Sequence, residues 1–137
     1  RFGASHTVNA REDVSQFVKD HNEGRLADRV IICAGALEAA VQGLGLVGKG
    51  GTVLFFAVPK PGEEVSIDFN PFWRNDISIK TSYGSSPYDH TQAMEFIRNG
   101  SIVVSDMVTH YFPLEKIQDA FNMAADGRDC LKVVITM

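Results

Sequence analysis

The chain is poor in basic residues, cysteine and histidine, and it has no long apolar run. Lys and Arg number 13 against 17 Asp and Glu, a formal net charge of −4. That balance offers no basic patch for a polyanion, so neither nucleic acid nor an anionic membrane is expected as a partner. No apolar stretch approaches the ~20 residues of a membrane span, and no leader-peptide pattern opens the sequence. The two cysteines, Cys33 and Cys130, stand far apart and neither belongs to a C-x-x-C, which leaves a reducing cytoplasm as the expected compartment. Cys33 ends an apolar run and is expected to be a small buried residue of a strand. His6, His21, His90 and His110 lack the close spacing of a metal set and have no cysteine near them, so no metal ligand is expected. Repeats, charge blocks and low-complexity linkers are absent as well.

What is present is an ordinary globular composition, 45% hydrophobic and 22% charged in 137 residues, long enough for one domain with a core. The chain opens on Arg1, and Phe2-Gly3-Ala4 reads as the end of a helix capped by Gly3, so an excised piece is expected. Arg29 to Pro59 reads strand, helix, strand. Val30-Ile31-Ile32-Cys33-Ala34 and Val53-Leu54-Phe55-Phe56-Ala57 are apolar almost without interruption, as in a parallel sheet covered on both faces. Between them Leu37, Ala40, Val41 and Leu44 recur at helical spacing. A right-handed β-α-β unit is the expected result.

Gly43-Leu44-Gly45-Leu46-Val47-Gly48 spells G-x-G-x-x-G, the pattern of a dinucleotide-binding turn. That motif works only when it follows a strand and opens a helix, so that the pyrophosphate meets free N–H groups at the positive helix end. Here it closes a helix and precedes a strand. Its glycines are expected to let the helix lie close to the sheet and then end it, with Gly48, Gly50 and Gly51 lying beyond.

Elsewhere, His6-Thr7-Val8-Asn9 reads as a short strand and Glu12-Asp13 as the acidic first turn of a helix carrying Val14, Phe17, Val18 and His21. Pro59-Lys60-Pro61-Gly62 breaks regular structure. Val65 to Phe69 alternates like a half-exposed strand that turns out at Asn70-Pro71, and Asp76 to Tyr83 holds a further strand. Ser86-Pro87-Tyr88-Asp89 carries an N-cap, a proline at the first helical position and a capping-box acid. Met107-Val108 leads to Pro113, a helix marked by Leu114, Ile117, Ala120, Phe121 and Ala124 ends at Asp126-Gly127, and Leu131 to Thr136 is a last strand. Met137 reads as a natural C-terminus.

In this order the fragments resemble the C-terminal part of a medium-chain dehydrogenase/reductase of the zinc-dependent alcohol and polyol dehydrogenase type. The matching stretches are Phe2 to Asn9, Val30 to Gly35, Gly50 to Val53 leading to Pro59, Ile79 to Gly84, Thr109 to Leu114 and Lys132 to Ile135. The resemblance implies an α/β fold, a partial Rossmann doubly wound parallel sheet holding its later strands. Residues 1–100 would be the C-terminal part of the nucleotide-binding domain, and 101–137 a segment returning to a catalytic domain outside this chain. His6 to Asn9 would be the third strand, separated from the fourth by two strands that lie upstream in a 3-2-1-4-5-6 order. The Val30–Ala34 strand would then present an open edge.

The resemblance also implies a nicotinamide cofactor, NAD or NADP, and a small-molecule alcohol substrate. Main-chain groups at Cys33, Ala34 and Gly35, at Phe56, Ala57 and Val58, and at Ser82, Tyr83 and Gly84 would line the cofactor, with Lys132 reaching the pyrophosphate as a point charge. Taken without the resemblance, Ala34-Gly35 is a tight turn and Lys132 a solvated lysine. Zinc, its ligands, the true glycine-rich turn and the ribose-binding acid would all lie upstream, so no catalytic or metal residue is expected here. The chain alone is expected to be inactive. A homo-oligomer, dimer or tetramer, is implied, with Phe72 and Trp73 either anchoring an interface or packing under a loop. A zinc-free quinone or enoyl reductase of the same superfamily, or a non-catalytic nucleotide-binding or interaction module, would share these features.

Overall fold

The computed structural model describes residues 2–137, which form two compact units, Gly3–Gly84 and Ser85–Met137. Arg1, part of the helix end expected at the start, lies outside the described residues. Gly3 has φ +91°, the left-handed conformation such a cap uses.

The first unit runs α1 (Val14–His21), β1 (Ala27–Ile32), α2 (Leu37–Gly45), β2 (Val47–Phe55), α3 (Phe69–Arg74) and β3 (Ser78–Thr81). The strands lie side by side as β1-β2-β3, all parallel, so the β-α-β unit expected from Arg29 to Pro59 is present. Register sets Val30 beside Val53 beside Ile79, and Ile32 beside Phe55 beside Thr81. This row faces the core. Val53 and Ala40 of α2 are fully buried there with Ile32, Val47 and Phe55, and Leu44, Phe72 and Ile77 pack around them. A Cβ on Gly43 would stand 2.7 Å from the side chain of Ile32. Glycine is therefore what lets α2 press onto β1. The G-x-G-x-x-G closes α2 and enters β2, as its context required.

Several expectations need correction. The alternate row, Ile31 beside Leu54 beside Lys80, is not fully covered: Ile31 is 61% exposed, because the single crossover helix shields one face only. Cys33 is exposed, since β1 ends at Ile32 and the thiol falls in the turn beyond. Gly48, Gly50 and Gly51 lie beyond α2 as expected, in the irregular first half of β2, where pairing slips between Ala27 and Arg29. His6 to Asn9 forms no strand. Among the described residues β1 pairs with β2 alone, and an extended segment without a neighbour has no ladder to join. Asn9 instead starts a turn, accepting the Glu12 N–H at 3.0 Å. In α1, Asp13 is the N-cap, its carboxylate accepting the Gln16 N–H at 2.9 Å, so the acid sits one position before the first turn.

Val65 to Phe69 is not a strand either. Asp68 caps α3 by accepting the Asn70 N–H at 3.0 Å, and Pro71 sits in the first turn, where a missing N–H costs nothing. The alternation reflects Val65 and Ile67 dipping toward the core from an irregular segment. A local cap wins over a period of two.

The second unit holds α4 (Pro87–Arg98), β4 (Val108–Pro113), α5 (Ile117–Asp126) and β5 (Lys132–Thr136). β4 and β5 pair in parallel with α5 crossing between them, and Ala120 is buried. Gly127 closes α5 at φ +65°. The capping box of α4 is complete: the Asp89 N–H reaches the Ser86 hydroxyl at 3.3 Å, and the Ser86 N–H reaches the Asp89 carboxylate at 2.8 Å. The Ser86 N–H first, and then the Ser86 hydroxyl, which donates to the same carboxylate oxygen at 2.7 Å, hold the Asp89 carboxyl below its ordinary range.

Candidate functional site

Because Ile32, Phe55 and Thr81 share one row, the chain leaves all three parallel strands at the same edge. The exits are Cys33-Ala34-Gly35, Phe56-Ala57-Val58 and Ser82-Tyr83-Gly84, the stretches expected to line a cofactor. Main-chain bonds stitch them together. The Ile32 carbonyl accepts from Phe56 N–H at 3.1 Å and Ala57 N–H at 2.9 Å, and the Phe55 carbonyl accepts from Ser82 N–H at 3.1 Å. A Cβ on Gly35 would meet the Val58 carbonyl at 3.1 Å, closer than an ordinary contact. The missing side chain lets the first two exits approach each other. Lys132 opens β5 in the second unit and is exposed.

The edge is apolar and open. Phe56 is 65% and Val58 61% exposed, and Tyr83 is wholly so. No carboxylate or lysine stands in the exits, so recognition here falls to backbone groups and flat apolar contacts. One contributor was not foreseen: α2 starts at this edge with Ala36 as an N-cap that has no side-chain bond. Its first-turn N–H groups stay open toward any acceptor beyond the strand ends. The signal in the sequence is negative, the lack of Ser, Thr, Asp or Asn just before Leu37.

A cavity of about 370 Å³ lined by Arg25, Leu26, Val47, Gly48, Asn75 and Ile77 lies at the opposite, amino end of the strands. Ligands of open parallel sheets bind beyond the carboxyl ends, so the strand exits are the stronger candidate. Among the described residues no group of three or more His, Cys, Asp or Glu is placed to hold a metal ion, and the zinc of the resembled enzymes does not fit this chain. No described helix is long and apolar enough to cross a membrane.

Comparison with known proteins agrees with the fold. Over 98% of its length the chain is 28% identical to a sorbitol dehydrogenase of Halalkalibacterium halodurans, covering 39% of that protein. Over 96% it is 30% identical to an erythritol/L-threitol dehydrogenase of Mycolicibacterium smegmatis, covering 36%. The chain thus spans about two fifths of the length of these relatives. In structure it superposes on an alcohol dehydrogenase zinc-binding domain protein of Burkholderia ambifaria, with a TM-score of 0.86 at 23% identity, covering 98% of this chain and 37% of that one. It also superposes on a Sinorhizobium meliloti zinc-binding dehydrogenase solved with NADP bound, with a TM-score of 0.84 at 28% identity, covering 98% and 40%. The family described as zinc-binding dehydrogenase matches residues 1–99, and with parallel strands, crossover helix and carboxyl-edge exits all in place, the chain belongs to that family.

Proposed function

We propose that this chain is the C-terminal portion of an NAD(P)-dependent dehydrogenase acting on an alcohol or polyol, and that the three strand exits form its cofactor shelf. The observation that carries this reading is the meeting of the exits at one edge, with Gly35 leaving room against the Val58 carbonyl. Backbone at Cys33, Ala34 and Gly35 and at Phe56, Ala57 and Val58 would hold the ribose and phosphate side of the dinucleotide. Ser82, Tyr83 and Gly84 would flank the nicotinamide, and Lys132 would meet the pyrophosphate. The cofactor supplies the hydride chemistry; these residues bind it, orient it and shield it from water. β4 and β5 belong to the segment that returns to the catalytic domain. Zinc, a dimeric or tetrameric assembly using the exposed Trp73, and a cytoplasmic location complete the proposal, and the 137 residues alone are inactive.

The test is titration calorimetry of NADH and NADPH on the full protein carrying Gly35→Val. A Cβ with two methyl groups would fill the space against Val58, and binding is expected to fall at least about tenfold, roughly 1.4 kcal/mol. Unchanged affinity in a variant that keeps its wild-type melting curve would defeat the assignment of this edge.

A further inference from the structure

Spacing along the sequence gave the histidines no partners, yet the fold brings two of them together away from the strand exits. His6 lies in the extended segment before α1, and His21 is the last residue of that helix. Their ring centroids are 4.3 Å apart and the planes are tilted by 50°. Phe17 backs the pair, 4.3 Å from His21 and edge-on to His6 at 6.4 Å. Both imidazoles are exposed.

His21 is also oriented. Its Nδ1 lies 2.8 Å from the Phe17 carbonyl oxygen, and a carbonyl can only accept, so Nδ1 carries the proton. In the neutral ring Nε2 is then left with a free lone pair. Metal-ligating histidines are held in the same way, one ring N–H given to a carbonyl and the other nitrogen given to the metal. Two imidazoles bound in neighbouring positions at about 2.0–2.1 Å per bond have centroids roughly 4.4–5.2 Å apart. The observed separation needs an opening of only a few tenths of an ångström. The C-terminal end of α1 adds partial negative charge that favours a cation at this position.

We propose that His6 and His21 chelate a divalent transition-metal ion of the imidazole-preferring kind, copper(II) most tightly. Among the described residues no third His, Cys, Asp or Glu joins them, so water completes the coordination sphere. The ion pins the segment before α1 to the end of that helix.

The test is a titration of the full protein with copper(II), followed by calorimetry and by electron paramagnetic resonance. Wild type is expected to bind one ion per chain with hyperfine structure from two nitrogens, beyond whatever His6→Asn/His21→Asn binds. Each single variant should bind at least about tenfold more weakly, since loss of a ligand costs no less than loss of a supporting partner. His21→Asn also removes the bond to the Phe17 carbonyl within α1, so His6→Asn, outside any helix, carries the decision. The same affinity and the same nitrogen signal in His6→Asn would overturn the proposal, as would the absence of any copper binding that the double variant lacks.

Discussion

Gly43 and Gly45 share one motif and lie in the last turn of one helix, yet their surroundings are opposite. A Cβ on Gly43 would press to 2.7 Å on both Cγ1 and Cδ1 of Ile32, whereas one on Gly45 would meet nothing within 4 Å. Alanine favours a helix interior over glycine by about 1 kcal/mol. Overpacking a filled core costs about 1–3 kcal/mol, and Ile32, 4% exposed, has little room to yield. Gly43→Ala should therefore lower stability by about 1 kcal/mol net, and Gly45→Ala should leave it unchanged or raise it by a few tenths. Urea unfolding of both variants decides it, and Ile32→Val should offset part of the Gly43→Ala loss. Sequence context showed that this motif does not form the phosphate-binding turn. Which glycine touches the sheet depends on how α2 rotates over β1, and that was not legible. Gly35 is the same kind of case, since its neighbour Val58 is distant along the chain.

Local bonds made the start of α4 legible, and apolar or alternating runs made β1, β2, β3 and β5 legible, but not which extended runs would lack a partner. The start of α4 could be read from Ser86, Pro87 and Asp89 because every bond in a capping box closes within three residues. His6 to Asn9 and Val65 to Phe69 looked like strands from their composition, but a strand exists only through its partner, and the sequence does not name the partner. Ser86→Ala should cost about 0.5–2 kcal/mol, the usual worth of such a cap. The pH dependence has a definite sign. Folding lowers the carboxyl of Asp89 from its ordinary 3.8, so the capping box stabilises the fold above that value and loses its contribution as pH falls through the lowered one. Circular dichroism between pH 7 and 2 should show α4 loosening at the acid end. In Asp89→Asn that acid-dependent part should vanish, leaving a helix weaker at neutral pH. An equally steep acid transition in the variant would place the dependence elsewhere.

At the scale of the whole chain, the sequence asked for a sheet covered on both faces, and the structure supplies one cover. Two separate globules of these sizes would expose roughly 8,500 Å² together, whereas the chain exposes 10778 Å². The difference is well above the roughly 800 Å² that each partner contributes to a standard interface. Part of it lies on β1, an edge strand that pairs on one side only and carries the exposed Ile31. An apolar edge with free N–H and C=O groups is a template for another strand. The strand exits extend that surface through the exposed Phe56 and Val58. These 137 residues, prepared alone, should therefore associate at micromolar concentration, and sedimentation velocity would record the species above monomer. Ile31→Lys puts a charge on the exposed edge at a stability cost within about 0.5 kcal/mol, as is usual for a surface change, and should return the chain toward monomer. If the wild-type chain sediments as a monomer at tens of micromolar, the open edge is harmless. If Ile31→Lys associates as strongly as wild type, the contact lies on another face.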